Sequence, residues 1–270
     1  MASRTHFVLL AHYNRWATRR LATVLKQLDA PKLVRYSTQF QNTVSNSAAQ
    51  TRQEVAETAQ QDAVYISGAR AYLESRGLPC NSIHGTMCHM LYADVMWKLR
   101  LSGQSIPAEL SEMWSSSAPA SVWEDRFTQV VLRKDPQTVR QLLAEAAKLE
   151  ASAQKDCGDW KELPELRTLA NQARNAIVME LDRSNEEWME MTKGFSEPEL
   201  AEKIKYHTTE GIEYNRTRAI LLTHVFNHAT HHRGQVSAPL AELTGTYPAM
   251  DMTAYLPEWE ELHGKAFRWA

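Results

Sequence analysis

Residues 223–235 read THVFNHATHHRGQ, and His224, His228 and His232 fall at every fourth position. That interval returns to one face of an α-helix: at about 100° per residue the three imidazoles span an arc of roughly 80°. His231 lies about 20° beyond one edge of the row. Imidazole is a mediocre helix former, and a buried ring needs partners on both nitrogens, so the row gains little as plain structure. A divalent transition metal supplies such a partner. Two histidines at i and i+4 reach one ion from a single helix, and one further ligand leaves a three-ligand site with an open position. The i, i+4 pair with parallel Cβ vectors is His228 and His232. His224, one turn earlier, is expected to line the pocket or bond a neighbour, and His231 is the less simple competitor.

The third ligand is sought on another buried helix. The string SIHGTMCHMLYADVMWKLRLSG, 82–103, is the only other long apolar helical stretch with histidine well inside it. His89 shares a stripe with Ala93 and Trp97, so it faces the core and needs a partner there. His84 lies nearer the helix start. Cys80, His84 and Cys88 form an alternative set, discounted because Cys80 falls at or before the helix start and a buried free cysteine is ordinarily a small hydrophobe. His89, His228 and His232 are therefore the expected ligands. Asp94 is a charge inside an apolar helix; an ion pair with Lys98, Arg100 or a neighbouring helix is expected for it. Arg233 and Gln235 are expected to brace the helix end or hold the outer nitrogens of the ligands.

The 270 residues, 43% hydrophobic and 23% charged, suffice for one core with elaborate insertions, and a single domain over 1–270 is expected. A formal net charge of -2 gives no electrostatic case for nucleic acid or an anionic membrane. The apolar run Phe7–Ala11 is too short for a signal segment or a membrane span, so a soluble, cytoplasmic protein is expected. Three cysteines without a CxxC pair indicate reduced thiols rather than a disulfide framework.

The periodicity predicts an all-α fold. Leu10, Tyr13, Ala17, Leu21 and Val24 stripe a first helix within about 4–28; Met87, Leu91, Asp94, Val95 and Lys98 stripe a second at 81–102, with Ser82 or Asn81 as cap. Helices at 160–193 and 216–243 complete four. Two segments stand outside this pattern. Residues 31–79 read as an insertion whose second half, 48–75, resumes a weak helical pattern, and 104–158 read as a second with helices near 122–132 and 136–154. YHTTEGIEY, 206–214, allows one short hairpin. The aromatic-rich tail from Thr244 is expected to pack on the bundle.

The strings YNRWATRRL (13–21), 82–103, HVFNHATHHRGQV (224–236) and PAMDMTAYLPE (248–258) resemble the DinB family of metal-binding four-helix bundles. The resemblance covers the first helix, 81–103, about 160–245 and part of the tail. It implies a divalent metal, commonly zinc or nickel, held by one histidine of the second helix and two of an HxxxH in the fourth, which match His89, His228 and His232. It also implies a bundle with a crossover topology, a tendency to form homodimers, and kinship with thiol-dependent transferases and isomerases. Residues 31–79 and 104–158 have no counterpart in a compact bundle of that family.

Three neutral imidazoles leave the ion's charge uncompensated and a coordination position open, a catalytic pattern. No GxSxG elbow, phosphate loop or dinucleotide fingerprint competes with it. The expected function is a metal-dependent enzyme that activates a small thiol for transfer to an electrophile. The rivals are a metal-dependent hydrolase and a non-catalytic bundle whose metal clamps two helices.

Overall fold

The computed structural model of the protein describes residues 3–29, 33–37, 63–156, 163–208 and 211–264. Its elements in chain order are α1 (Arg4–Leu25), β1 (Leu33–Ser37), β2 (Ala63–Ser67), α2 (Gly68–Leu73), α3 (Ile83–Leu101), α4 (Ala108–Glu112), α5 (Val122–Val130), α6 (Pro136–Asp156), α7 (Pro164–Gly194), α8 (Glu197–Ala201), β3 (Lys203–His207), β4 (Glu213–Thr217), α9 (Arg218–Thr244) and α10 (Met252–His263).

Local chemistry sets the helix ends. Ser3, Ser67, Ser82, Ser196 and Thr217 each accept a first-turn backbone N–H through the side-chain oxygen, each such cap being worth about 1 kcal/mol. Ser82, not Asn81, caps α3; Asn81 takes the left-handed φ of 71° that turns the chain into it. Gly245, with φ of 70°, closes α9.

Four of these helices form the bundle. α1 packs on α7 and α9, and α3 packs on the same two, so α1 and α3 stand across one diagonal and α7 and α9 across the other. Chain-consecutive core helices α1 and α3 are thus not neighbours, and neither are α7 and α9, which is the crossover arrangement. The placement puts α3 beside α9. One apolar cluster runs through all four, from Phe7 and Leu21 through Met87 and Leu91 to Trp188 and Val236. α1 is buried on a second side as well: Leu9, Tyr13 and Ala17 meet Tyr255 and Trp259 of α10, so the aromatic tail does pack on the bundle.

α3 is enclosed on nearly every side because α2 and α5 cover what α7 and α9 leave open. Val95, placed in the core stripe by periodicity, is exposed instead. The hairpin expected near 206–214 is present: β3 pairs with β4 antiparallel, from Lys203 opposite Thr217 to His207 opposite Glu213. A second pair, β1 with β2, was not expected. Residues 63–67 extend where a helical continuation was predicted, because AVYIS and its partner LVRYS are rich in β-branched and aromatic residues. The helical reading of 48–62 lies outside the described residues. The segment 104–158 carries α5 and α6, close to the helices expected there, and the five-residue α4, which was not expected.

Candidate metal centre

α3 and α9 bring three histidines together. His228 Nε2 lies 3.2 Å from His89 Nε2 and 3.0 Å from His232 Nε2. The ligand atoms of all three rings fall within 4.8 Å of one another, and no Cys, Asp or Glu joins the group among the described residues. Nitrogens bound tetrahedrally at about 2.0–2.1 Å from one zinc stand about 3.3 Å apart, so the observed spacing suits a shared cation.

The hydrogen-bonding of His232 makes the same point chemically. Its Nδ1 donates to Gln235 Oε1 at 2.8 Å, and Gln235 Nε2 donates to His231 Nε2 at 3.0 Å. An amide oxygen only accepts and an amide nitrogen only donates, so the proton of neutral His232 sits on Nδ1. Its Nε2 is left as a lone pair, 3.0 Å from His228 Nε2. Burial, reinforced by the adjacent imidazoles, pushes His89 and His228 down to about 3. Burial lowers His232 too. The cluster is therefore neutral at physiological pH, the state in which imidazole binds metal. This buried three-histidine cluster is compatible with a metal ion.

His89 is walled by aromatic rings from the segment 104–158. Trp123 meets it edge-on with ring centroids 4.5 Å apart, and Trp114 stands 5.8 Å away. Sequence reasoning missed both residues, since a tryptophan beyond Gly103 carries no periodic link to His89.

The remaining expected residues divide. His224 is exposed, its ring 5.1 Å from Trp97 and 5.6 Å from His228; it flanks the cluster but is not part of the three-nitrogen group. Gln235 touches the site directly. Asp94 is buried, accepts from Ser184 Oγ at 2.9 Å, and shares with His228 a void of about 10 Å³, room for one water. Burial raises its pKa, while Lys98 opposes the shift. Arg233 does not reach the cluster. Its guanidinium, fully buried, donates to Asn14 Oδ1 and to Thr230 Oγ1, while Asn14 Nδ2 donates to Asn185 Oδ1 at 2.6 Å, so Arg233 ties α9 to α1 and α7. His84 is held elsewhere: its Nδ1 shares a hydrogen bond of 2.8 Å with the Tyr72 hydroxyl, and its Nε2 lies 3.5 Å from Cys88 Sγ.

The profile of the DinB family matches residues 69–262, most of the chain. The chain belongs to the DinB family. The match opens after α1, so the first helix of this DinB bundle lies outside it, and it spans α2, the histidine-bearing α3 and α9, and the segment 104–158. No curated protein and no solved structure matches the chain. No helix among the described residues is long and apolar enough to cross a membrane.

Proposed function

We propose that this DinB protein is a metal-dependent enzyme that activates a small thiol for attack on an electrophile, with His89, His228 and His232 as the ligands and zinc or nickel as the ion. The observation that carries this reading is the set of three: three Nε2 atoms converge, and no fourth protein ligand joins them among the described residues. A structural zinc site is ordinarily closed by four protein ligands, whereas three leave a place for an exogenous group. A divalent ion held there would supply a Lewis-acid position that lowers the pKa of a thiol or water into the physiological range.

The chain's own residues supply the rest. His232 is held in the ligating tautomer by Gln235, which is itself steadied on His231. Trp114 and Trp123 keep water from the His89 side and fix its ring. Trp97 and His224 form an aromatic margin beside His228 on which an apolar electrophile would rest. Soft sulfur binds zinc and nickel well, which makes a small thiol the exogenous ligand to test first, with water at the same position as the hydrolytic alternative.

The test is conjugation. Zinc- or nickel-loaded protein is incubated with low-molecular-weight thiols and monochlorobimane, whose chloride leaves as the thioether forms, and compared with a His228→Ala control. Metal-dependent acceleration with one thiol supports the reading. If no thiol exceeds the control, and none perturbs the absorption of a cobalt-substituted sample, S-transfer is lost and hydrolysis or a structural clamp is the better account.

A further inference from the structure

On the side of α3 away from α9, a cavity of about 290 Å³ lies among α2, α3, α5, α6 and α7. Part of the lining is apolar, chiefly Leu132, Val139, Leu143 and Leu169; the polar part carries Glu124, Asp125, Arg140, Asn81 and His84. Small-molecule sites have this construction, a mostly apolar hollow with a few fixed polar groups, and the volume suits a ligand of fragment size. α5 and α6, which form most of the hollow, belong to the segment 104–158.

Glu124 is the polar group that stands out. Its Oε1 accepts from Asn81 Nδ2 and its Oε2 accepts from Ser82 Oγ at 3.1 Å, which fixes the carboxyl against the start of α3. A Cβ at Gly85 would collide with that carboxyl and with the Cys80 carbonyl, so glycine at 85 is what admits it. Arg140 forms an ion pair of 2.8 Å with Asp125 instead, and no Lys or Arg makes an ion pair with Glu124 among the described residues. Burial pushes Glu124 up to about 8, opposed by the hydrogen bonds from Asn81 and Ser82, with smaller contributions from Asp125, which raises it, and Arg140, which lowers it. An ionised carboxylate so largely enclosed is costly without an ion-pair partner, so near neutral pH Glu124 holds its proton for most of the time. An ammonium group entering from the cavity would supply that partner and draw Glu124 into its ionised form, the carboxyl proton passing to solvent.

We propose that this cavity is a binding site for a small organic amine, its ammonium on Glu124 and its apolar body against Val139, Leu143 and Leu169. The site is separate from the histidine cluster and does not depend on the thiol reading. Glu124 lines the cavity, whereas its chain neighbour Trp123 packs on His89.

The experiment is calorimetric titration of the full chain with 2-phenylethylamine and with its neutral analogue 2-phenylethanol, repeated on His228→Ala so that no metal at the histidine cluster can capture the amine. One amine per chain is expected with a dissociation constant near or below about 1 mM, and the alcohol is expected to bind at least about tenfold more weakly. Glu124→Gln should weaken the amine about tenfold or more and spare the alcohol, and Val139→Phe, which fills the hollow from its apolar wall, should abolish binding of both. Because Glu124 also ties α5 to α3, Glu124→Gln is first checked for folding by circular dichroism; if it does not fold, the amine–alcohol comparison and Val139→Phe decide. Equal binding of amine and alcohol, binding that survives Val139→Phe, or no binding up to about 10 mM overturns the proposal.

Discussion

Gln235 holds His232 from one turn along α9: the imidazole Nδ1 donates to the amide oxygen at 2.8 Å while the amide nitrogen is engaged by His231. One side chain thus sets both the orientation and the protonation of a proposed ligand. Gln235→Ala should lower zinc affinity by about 10–100-fold, the usual range for an outer partner of a metal-bound histidine. Competition titration against a chromophoric chelator reads the change, and an unaltered affinity would show that His232 needs no such support.

The three nitrogens are expected to act as a unit. His89→Ala, His228→Ala and His232→Ala should each cost more zinc affinity than the roughly 10–100-fold of an outer partner, while His207→Ala, on the exposed β3–β4 hairpin, should leave it intact. His84→Ala is also expected to spare the metal, because that ring is engaged with Tyr72. A loss at His84 equal to the loss at His89 would move the site one turn along α3.

Trp123 is buried and meets His89 edge-on. Trp123→Ala should destabilise the fold by about 3–5 kcal/mol, since the cavity left by a large aromatic adds to the lost transfer energy. It should also weaken metal binding through the freed His89 ring. Urea denaturation gives the first quantity and chelator competition the second; a drop in stability with no change in affinity would make Trp123 a packing residue only.

Acid should destabilise the metal-free protein through His84. Burial pushes that group down to about 3, against an unfolded value of 6.5. Below pH 6.5 the unfolded chain takes up a proton that the native state refuses, so this contribution is complete above pH 6.5 and is lost as the pH falls toward 3. Between pH 6.5 and 4.5 the loss amounts to about 2–3 kcal/mol for one such group. His84→Asn, which keeps a hydrogen-bonding atom toward Tyr72 and cannot titrate, should make the pH dependence of the urea midpoint shallower by this one group's share, with His89 and His228 still contributing, measured with chelator present. An unchanged slope would assign the acid sensitivity to other groups.

Arg233→Met should cost about 1–3 kcal/mol, because it strips a buried donor from Asn14 Oδ1. The same variant should leave zinc affinity near that of the parent, since Arg233 points toward α1 rather than toward the histidines. Thermal unfolding and chelator competition separate the two effects.

The long core helices were legible because each carries enough turns for its period to show, whereas the five-residue α4 and α8 were not, and the histidine row was legible because four-residue spacing on α9 leaves few geometries open. The β1–β2 pair was not, since two five-residue strands 25 residues apart have too little alternation to announce themselves. Val95 misled because periodicity reports one apolar stripe, whereas α3 is covered by four helices whose positions no local pattern encodes. Of the two roles read for Arg233, bracing the helix or holding a ligand's outer nitrogen, it takes a bracing one: successive helical residues diverge by about 100°, so beside His232 it faces α1. Trp114 and Trp123 illustrate the same limit: their contact with His89 arises from tertiary packing alone.

The diagonal order of the core helices bears on how the chain assembles. His89 and His228 are 139 positions apart, and the pair forms only when α9, the last helix of the bundle, docks beside α3. Contacts so distant along the chain cost loop-closure entropy before they return anything, and they slow folding. An ion seized by His228 and His232 alone would occupy a two-toothed half-site on a single helix. The arrival of α3 would then convert weak capture into tight retention, making metal retention a late marker that the two halves of the chain have found each other.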